Sequence, residues 1–263
     1  MTQPSLADLL SVATEAAYLG GRRTLAYFNT DVAVEMKPDD TPVTCADRES
    51  ERVIRERIRR AFPTHTILGE EGGTEDGDPE YRWIIDPIDG TKTFIRGVPF
   101  YGVLVGVEVQ RRPSVGVVYL PALDEMVSAA IGHGCWWNGR RARVSDVSTL
   151  ADAAVMVTSV WGMNLRSDAY ERLAAATKFQ RTWGDCYGYV LVATGRAEVM
   201  LDPRLSVWDC APLLPILQEA GGHFTTWAGE ATVWGSDGVG TNAALHRPVL
   251  EILASETRRS PAG

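Results

Sequence analysis

The chain has 263 residues, 45% of them hydrophobic, and a formal net charge of −8 at pH 7. This length allows a large core in one or two domains, and the negative charge argues against binding to nucleic acid, which needs a basic face. No run of about 18 apolar residues occurs and the first residues lack a basic cluster, so we expect neither a membrane span nor an export signal.

The cysteines are widely separated and form no C-x-x-C pair. Their spacing therefore suggests neither a zinc ribbon nor a disulfide framework. We expect a cytoplasmic protein with free thiols. The cysteines are Cys45, Cys135, Cys186 and Cys210.

The first 42 residues predict a helix, a weak strand and a turn. Ser5 can cap an amphipathic helix whose apolar residues recur at helical spacing toward Phe28. Residues 32–36 alternate weakly as a strand, and residues 37–42 contain two prolines and two adjacent acids. This composition is typical of a loop or a hairpin turn.

A second helix is predicted from Thr44 to Ala61. Thr44 and Asp47 resemble a capping box, and the helix places an arginine-rich face outward. Asp47 therefore has two interpretations, as a helix cap and as a functional group. A short strand at residues 66–68 follows, and the polar, acidic residues 74–80 predict a mobile loop with solvated acids.

Residues 83–92, with the sequence WIIDPIDGTK, give the strongest chemical signal in the chain. The apolar run predicts a buried strand that ends at Asp86 and Asp89. Two like charges at the end of such a strand repel each other unless a cation or an array of donors lies between them. Gly90 and Thr91 then offer backbone N–H groups that can bind phosphate if a helix starts there.

The rest of the chain predicts a β-rich segment and then an α/β segment. Strands at residues 103–109, 114–120 and 125–130, extended by an Asn138-Gly139 turn, form an antiparallel meander. We place a boundary between an N-terminal α+β lobe of residues 1–147 and a C-terminal α/β lobe of residues 148–263, which could meet at a cleft. The C-terminal elements are strands at 155–160, 182 and 198–201 and helices at 167–178, 186–194, from 209 and at 248–254.

Three motifs together resemble the signatures of the inositol monophosphatase family. They are Gly69-Glu70-Glu71, Trp83-x-x-Asp86-Pro87-Ile88-Asp89-Gly90-Thr91, and Trp208-Asp209-x-Ala211 with Glu219-Ala220-Gly221-Gly222. The resemblance implies a layered α/β fold, the five-layer α-β-α-β-α sandwich of inositol monophosphatases and sugar phosphatases. It also implies Mg²⁺-dependent hydrolysis of a phosphate monoester and a homodimer.

The same resemblance implies the site residues. The expected ligands of two or three Mg²⁺ ions are Glu70, Asp86, Asp89, Asp209 and the main-chain carbonyl of Ile88. Carboxylates without histidine or cysteine are the ligands that Mg²⁺ prefers. The expected catalytic residues are Glu70, Asp47 and Thr91, with Asp47 acting through water and Thr91 paired with Asp47 or Glu70 to orient the attacking water. Without the resemblance, Glu70 could lie in a solvated turn and Asp209 could be a helix N-cap.

Residues 181–187 are similar to the histidinol-phosphate phosphatase branch of the family. Asp185 stands where inositol phosphatases usually have a small or neutral residue, and Asp202 could supply a second acid. A substrate with an ammonium and an imidazole favours these acids, which a neutral polyol does not need. Asp185 could alternatively cap the next helix. The expected contacts of this small phosphorylated metabolite are Gly90, Thr91, Arg181, Asp185 and Asp202.

We therefore expect a histidinol-phosphatase of histidine biosynthesis. One alternative is an inositol-1-monophosphatase or another sugar-phosphate phosphatase. The other alternative is a catalytically silent regulator that binds metal or ligand on the same fold. Every expected ligand position is filled, including Thr91, and this favours an active enzyme.

Overall fold

Two helices cover one face of a large sheet. The computed structural model describes residues 3–166 and 168–254. Helix α1 (Leu6–Thr24) begins after Ser5, whose hydroxyl accepts a hydrogen bond from the N–H of Asp8. Helix α1 ends at Thr24, whereas the sequence predicted a helix running toward Phe28. Strands β1 (Val34–Met36) and β2 (Pro42–Thr44) form the predicted hairpin, and helix α2 (Cys45–Ala61) follows.

The large sheet contains the predicted meander. Its strands are β3 (His65–Gly69), β4 (Gly73–Glu75), β5 (Asp78–Asp89), β6 (Gly102–Val109), β7 (Arg112–Leu120), β8 (Glu125–Ala130), β9 (Gly134–Trp137) and β10 (Arg140–Arg141). Their order across the sheet is β10-β9-β8-β7-β6-β5-β3-β4. All neighbours are antiparallel except β3 and β5, which are parallel. The side chains of α1 and α2 pack on one face of this sheet in a continuous apolar core.

The prediction of a mobile loop over residues 74–80 is wrong. Strand β4 pairs with β3, with Glu75 opposite Ile67, and β5 begins at Asp78. Glu75 forms ion pairs with Arg59 and Arg55 of helix α2. The prediction of solvated acids is confirmed for Asp76 and Glu80, which are exposed, but strand pairing and the ion pairs of Glu75 order the segment.

The opposite face of the large sheet carries the central helices α6 (Asp185–Ala193) and α7 (Val207–Glu219). Glycines allow α7 to approach the sheet closely. A Cβ added to Gly106 would lie 2.6 Å from the Cβ of Ala211, and one added to Gly116 would collide with the backbone of Pro212. This close contact fixes the start of α7 next to the end of β5.

A second sheet covers the central helices. Its strands are β11 (Ala154–Val157), β12 (Phe179–Arg181), β13 (Val199–Asp202), β14 (His223–Thr225) and β15 (Gly238–Thr241), in the order β12-β11-β13-β15-β14. Helices α5 (Ala169–Ala176) and α8 (His246–Ala254) pack on its outer face. The five-layer α-β-α-β-α sandwich is therefore confirmed. The short helices α3 (Thr91–Phe94) and α4 (Val160–Arg166) complete the set of described helices with Leu150–Asp152.

The second half departs from the prediction in detail. The strand predicted to reach Val160 ends at Val157, and α4 starts at Val160. The next helix is shorter than predicted, and its predicted first residue, Ser167, lies outside the described residues. The described cysteines are free thiols, and the described helices include none long and apolar enough to cross a membrane. The lobe boundary at residues 147 and 148 stays a prediction.

Candidate active site

A bulge places Asp86 and Asp89 on the same side of strand β5. In a regular strand, residues three positions apart point to opposite faces. Asp86 pairs with Leu104 of β6 and Asp89 with Gly102, so β5 takes three steps where β6 takes two. The extra residue of the bulge returns Asp89 to the side of the strand on which Asp86 lies. Pro87 lies in this bulge and has no N–H that needs a partner.

Asp209 meets these two residues from the first turn of helix α7. Ser206, and not Asp209, is the N-cap of this helix, so the capping alternative is wrong in position. The backbone N–H of Ser206 donates a 2.7 Å hydrogen bond to one carboxylate oxygen of Asp209. Carboxylate oxygens of Asp86, Asp89 and Asp209 all lie within 4.8 Å of one another. These three carboxylates can therefore share one cation.

Burial and neighbouring negative charges disfavour the charged forms of the three carboxylates. Burial, followed by the charge of Glu70, raises the pKa of Asp86 well above its usual value. Burial and then the charge of Asp185 have the same effect on the pKa of Asp89. Burial raises the pKa of Asp209 to about 7, against the opposing effect of the Ser206 N–H. A divalent cation would relieve this repulsion, so the donor set fits a hard metal ion.

Glu70 and Ile88 line the same cleft, which has a volume of about 630 Å³. Glu70 lies in the turn between β3 and β4, and its Oε1 accepts a 2.7 Å hydrogen bond from Lys37 Nζ. The same ammonium donates to Glu71 Oε1 at 2.5 Å. The turn at Glu70 is therefore not a simple solvated turn, because its acids are paired with Lys37.

Asp47 caps helix α2, as one interpretation predicted, and it also contacts Thr91. Its Oδ2 accepts hydrogen bonds from the N–H and the hydroxyl of Thr44, at 2.8 and 2.7 Å, and so caps helix α2. Its Oδ1 accepts a 3.4 Å hydrogen bond from the hydroxyl of Thr91, which also lies 3.1 Å from the carbonyl oxygen of Ile88. Of the two partners considered for Thr91, the structure pairs it with Asp47.

Asp185 projects into the cleft from an uncommon backbone conformation. It is the first residue of α6, with φ of +51°, a value that non-glycine residues rarely adopt. Its carboxylate accepts a 3.0 Å hydrogen bond from the hydroxyl of Thr93, and its N–H donates at 2.8 Å to Thr158 Oγ1. Gly184 is the N-cap, and no side chain caps this helix, so the capping alternative for Asp185 is wrong.

Gly90 lies directly beside Asp185 in the cleft. Gly90 has φ of +82° and precedes helix α3, and a Cβ added to it would lie 2.9 Å from Asp185 Oδ2. Gly90 and Thr91 line the cleft together with Asp185. The predicted phosphate contacts and the predicted specificity acid therefore lie next to each other.

Asp202 lies in a smaller cavity of about 110 Å³ that adjoins the cleft. Asp202 is 3% exposed, and burial raises the pKa of its carboxyl well above the usual value. Its Oδ2 and the buried hydroxyl of Tyr189 form no hydrogen bond within the described part of the chain. Both cavities share the residues Asp89, Thr158, Asp185, Arg204, Leu205 and Asp209.

Arg181 is exposed and lies apart from these groups. Its guanidinium is 5.4 Å from the centre of the Phe179 ring and 5.9 Å from that of Trp183. The described residues that line the cleft do not include Arg181. Its role in substrate binding stays a prediction.

Sequence reasoning missed the residues that hold Asp185. Thr93 and Thr158 contact it from 92 and 27 positions away in the sequence. Neither threonine belongs to a motif that signals this contact. The packing of both sheets against the central helices brings them together, because Thr93 follows β5 of the large sheet and Thr158 follows β11 of the second sheet.

The comparisons with known proteins agree with this geometry. Residues 5–261 match the inositol monophosphatase family. A histidinol-phosphatase of Chlorobaculum parvum is 40% identical over 95% of this chain and 98% of its own length. A fructose-1,6-bisphosphatase/inositol-1-monophosphatase of Aquifex aeolicus is 34% identical over 94% and 96%, respectively. The crystal structure of the extragenic suppressor protein suhB from Bartonella henselae matches with a TM-score of 0.88 and 28% identity, over 95% of this chain and 99% of that chain.

Proposed function

We propose that this chain converts histidinol phosphate and water to histidinol and phosphate. The chain belongs to the inositol monophosphatase family and is a metal-dependent phosphomonoester hydrolase. The proposal includes Mg²⁺ as the metal, with two or three ions, and a role in histidine biosynthesis. It also includes a cytoplasmic location and a homodimer, and sedimentation of the purified protein would test the homodimer.

The metal end of the cleft carries the reaction. The groups that would hold Mg²⁺ are Glu70, Asp86, Asp89, Asp209 and the carbonyl oxygen of Ile88. When bound, Mg²⁺ supplies an activated water, a contact for the phosphate and stabilisation of the leaving oxygen. We assign phosphate binding to the backbone N–H groups of Gly90 and Thr91.

In this proposal, Asp47 and Thr91 orient the attacking water, and Asp47 accepts its proton. The Thr91 hydroxyl is 3.4 Å from Asp47 Oδ1, and it can accept a hydrogen bond from a water while donating to Asp47. This arrangement orients the lone pair of the water toward the phosphorus. The proton released by the water can then pass toward the Asp47 carboxylate.

The carboxylate of Asp185 carries the choice of substrate. It faces the cleft next to Gly90 and is not one of the clustered metal ligands. A cationic ammonium or imidazolium would pair with this charge, and Asp202 in the adjoining cavity would add a second acid. A neutral polyol gains less from a partly buried negative charge. The name of the Chlorobaculum parvum relative supports the same substrate.

The second candidate is an inositol-1-phosphatase or another sugar-phosphate phosphatase. The name of the Aquifex aeolicus relative favours it, because that protein covers nearly the whole chain at 34% identity. Both candidates use the same metal end. They differ only in the ester that binds beside Asp185 and Asp202.

A substrate panel tests the proposal. Purified protein with Mg²⁺ would receive histidinol phosphate, inositol 1-phosphate and fructose 1,6-bisphosphate in parallel, with released phosphate measured. We expect kcat/KM for histidinol phosphate to be at least about tenfold higher than for the other esters, which corresponds to about 1.4 kcal/mol of selective binding. A higher kcat/KM for inositol 1-phosphate would contradict the proposal. The Asp89→Asn variant controls for contaminating phosphatases.

A further inference from the structure

We propose that Glu51 and Arg55 are positioning residues that hold the turn carrying Glu70 and thereby set the affinity of the site for divalent cations. The inference rests on the metal site of the proposed function. Both residues lie on helix α2, and the described residues that line the cleft include neither of them. Their contacts with the turn at residues 71–73 are the route by which we infer that they act on the metal.

The carboxylate of Glu51 binds the backbone directly after Glu70. Its Oε2 accepts a 2.8 Å hydrogen bond from the N–H of Glu71, and its Oε1 accepts a 2.9 Å hydrogen bond from the N–H of Gly72. The N–H of Glu70 itself donates to the carbonyl of Ile85 at 3.1 Å. Three successive N–H groups of the turn are thus fixed, two of them by one carboxylate.

Arg55 completes the contact with the turn. Its Nε donates to Glu51 Oε1 at 2.7 Å, and its Nη2 donates to the carbonyl oxygen of Gly73 at 2.6 Å. Glu51 and Arg55 are 2% and 8% exposed, respectively. A buried carboxylate is stable only with such partners, so its two N–H donors and the guanidinium form one interdependent unit. This unit holds residues 71–73 against α2.

The glycines of the turn match this arrangement. A Cβ on Gly72 would lie 2.6 Å from Glu51 Oε1, and a Cβ on Gly69 would collide with the same carboxylate. The backbone therefore wraps around the Glu51 side chain at both ends of the Glu70-Glu71 pair. The turn has no free space in which to shift toward α2 while Glu51 is present.

Loss of this support would let Glu70 sample positions that do not bind the cation. Groups that orient a metal ligand typically change metal affinity by about 10- to 100-fold when they are replaced. The carboxylates of Asp86, Asp89 and Asp209 come from other elements and would keep their places. The cation should therefore bind more weakly, while turnover at saturating cation stays close to that of the wild type.

The test is direct cation binding to the Glu51→Gln variant. Glutamine keeps the side-chain length but turns an NH₂ group toward one of the two N–H donors and loses the charge that pairs with Arg55. Calorimetric titration with Mn²⁺ or Mg²⁺, without substrate, should show a Kd that is about 10- to 100-fold weaker. Glu56→Gln is the matched control, because Glu56 forms an exposed ion pair with Arg52 on the same helix. Its cation Kd should equal that of the wild type.

A role in stability alone would lower Tm and leave the cation Kd unchanged, and that result would overturn the inference. If Glu51→Gln does not fold, Arg55→Lys carries the same test, because lysine keeps a charge but loses the fork that reaches Gly73. A wild-type Kd in a folded Arg55→Lys variant would also overturn it. Failure of the substrate proposal stays distinguishable, because the titration contains no phosphate ester. An unchanged Kd in Asp89→Asn would instead show that the metal site itself is wrong.

Discussion

The two ends of the cleft use carboxylates in different ways. At the metal end, Asp86, Asp89 and Asp209 have oxygens within 4.8 Å of one another, and burial together with neighbouring carboxylates raises their pKa values. At the substrate end, Asp185 stands on a left-handed backbone and is held by threonine hydroxyls. We propose that the crowded carboxylates hold a cation and so set the reaction, whereas Asp185, which is not one of the three clustered carboxylates, selects the charge of the substrate. Substitutions at the two ends should therefore have separable effects.

The largest effect is expected from Asp89→Asn at the metal end. The variant loses one ligand charge, and we expect turnover to fall by at least about 1,000-fold, or about 4 kcal/mol of transition-state stabilisation. In metal-free protein the same change removes repulsion between buried charges, so Tm in EDTA should not fall. Phosphate release and thermal melts with and without Mg²⁺ measure both effects. A variant that keeps wild-type turnover would refute the metal assignment.

Thr91→Val should act on catalysis more than on metal binding. Valine has nearly the same shape but lacks the hydroxyl that lies between Asp47 Oδ1 and the Ile88 carbonyl. We expect kcat to fall by about 100-fold, the lower end of the range for proton-transfer groups, with cation Kd close to that of the wild type. Thr91→Ser is the control and should restore most of kcat. Equal kcat in the valine and serine variants would remove Thr91 from the reaction.

The metal end should also make stability depend on pH. Because the pKa of Asp209 is raised from 3.8 to about 7 in the fold, the folded protein holds a proton that the unfolded chain has lost between these values. The contribution of this group therefore lowers metal-free stability as pH rises from about 4 to 7, and the loss is complete above 7. Cation binding strengthens over the same range, because the ligands must lose protons.

Thermal melts in EDTA at several pH values measure this dependence. Asp209→Asn should flatten the part of the Tm profile between about pH 4 and 7, because asparagine does not titrate. A variant whose metal-free Tm profile matches that of the wild type would show that Asp209 has an ordinary pKa. The repulsion at the metal end would then be weaker than the structure indicates.

The smallest effect is expected from Arg181→Ala. The guanidinium lies exposed beside the rings of Phe179 and Trp183, and an exposed contact of this kind contributes at most about 1 kcal/mol. We expect KM for histidinol phosphate to change by less than about fivefold. Steady-state kinetics measure it. A larger rise in KM would extend the substrate end of the cleft to Arg181.

The reaction was predictable from sequence because three short motifs resemble one family, and the elements that carry them have local signals. The capping box at Thr44 and Asp47 and the apolar run before Asp86 each occupy a few consecutive residues, and the structure confirms the helix and the strand they predict. The bulge at Pro87 was not predicted, because it depends on how β5 pairs with β6. The sequence identifies Asp86 and Asp89, and the pairing of β5 with β6 places them on the same side of the strand.

Two of the wrong predictions share a cause, which is the pairing of charged residues with groups on other elements. The arginines of α2 were expected on an outer face, but Arg55 is buried and donates a hydrogen bond to the carbonyl oxygen of Gly73, 18 positions away. Glu75 was expected in a solvated loop, but arginines of α2 hold it in strand β4. Composition assigns charged residues to solvent, and it cannot identify partners that lie 16 or more positions away. The substrate end was least predictable for the same reason.

The most direct test of the account is the substrate preference of Asp185→Asn. The measurement is kcat/KM for histidinol phosphate and for inositol 1-phosphate, in wild type and variant under the same Mg²⁺ concentration. We predict a loss of about 30-fold or more for histidinol phosphate, as expected when a buried charge pair loses a partner, and a change of less than about threefold for the neutral ester. Equal losses for both esters would contradict the assignment of Asp185 to substrate selection.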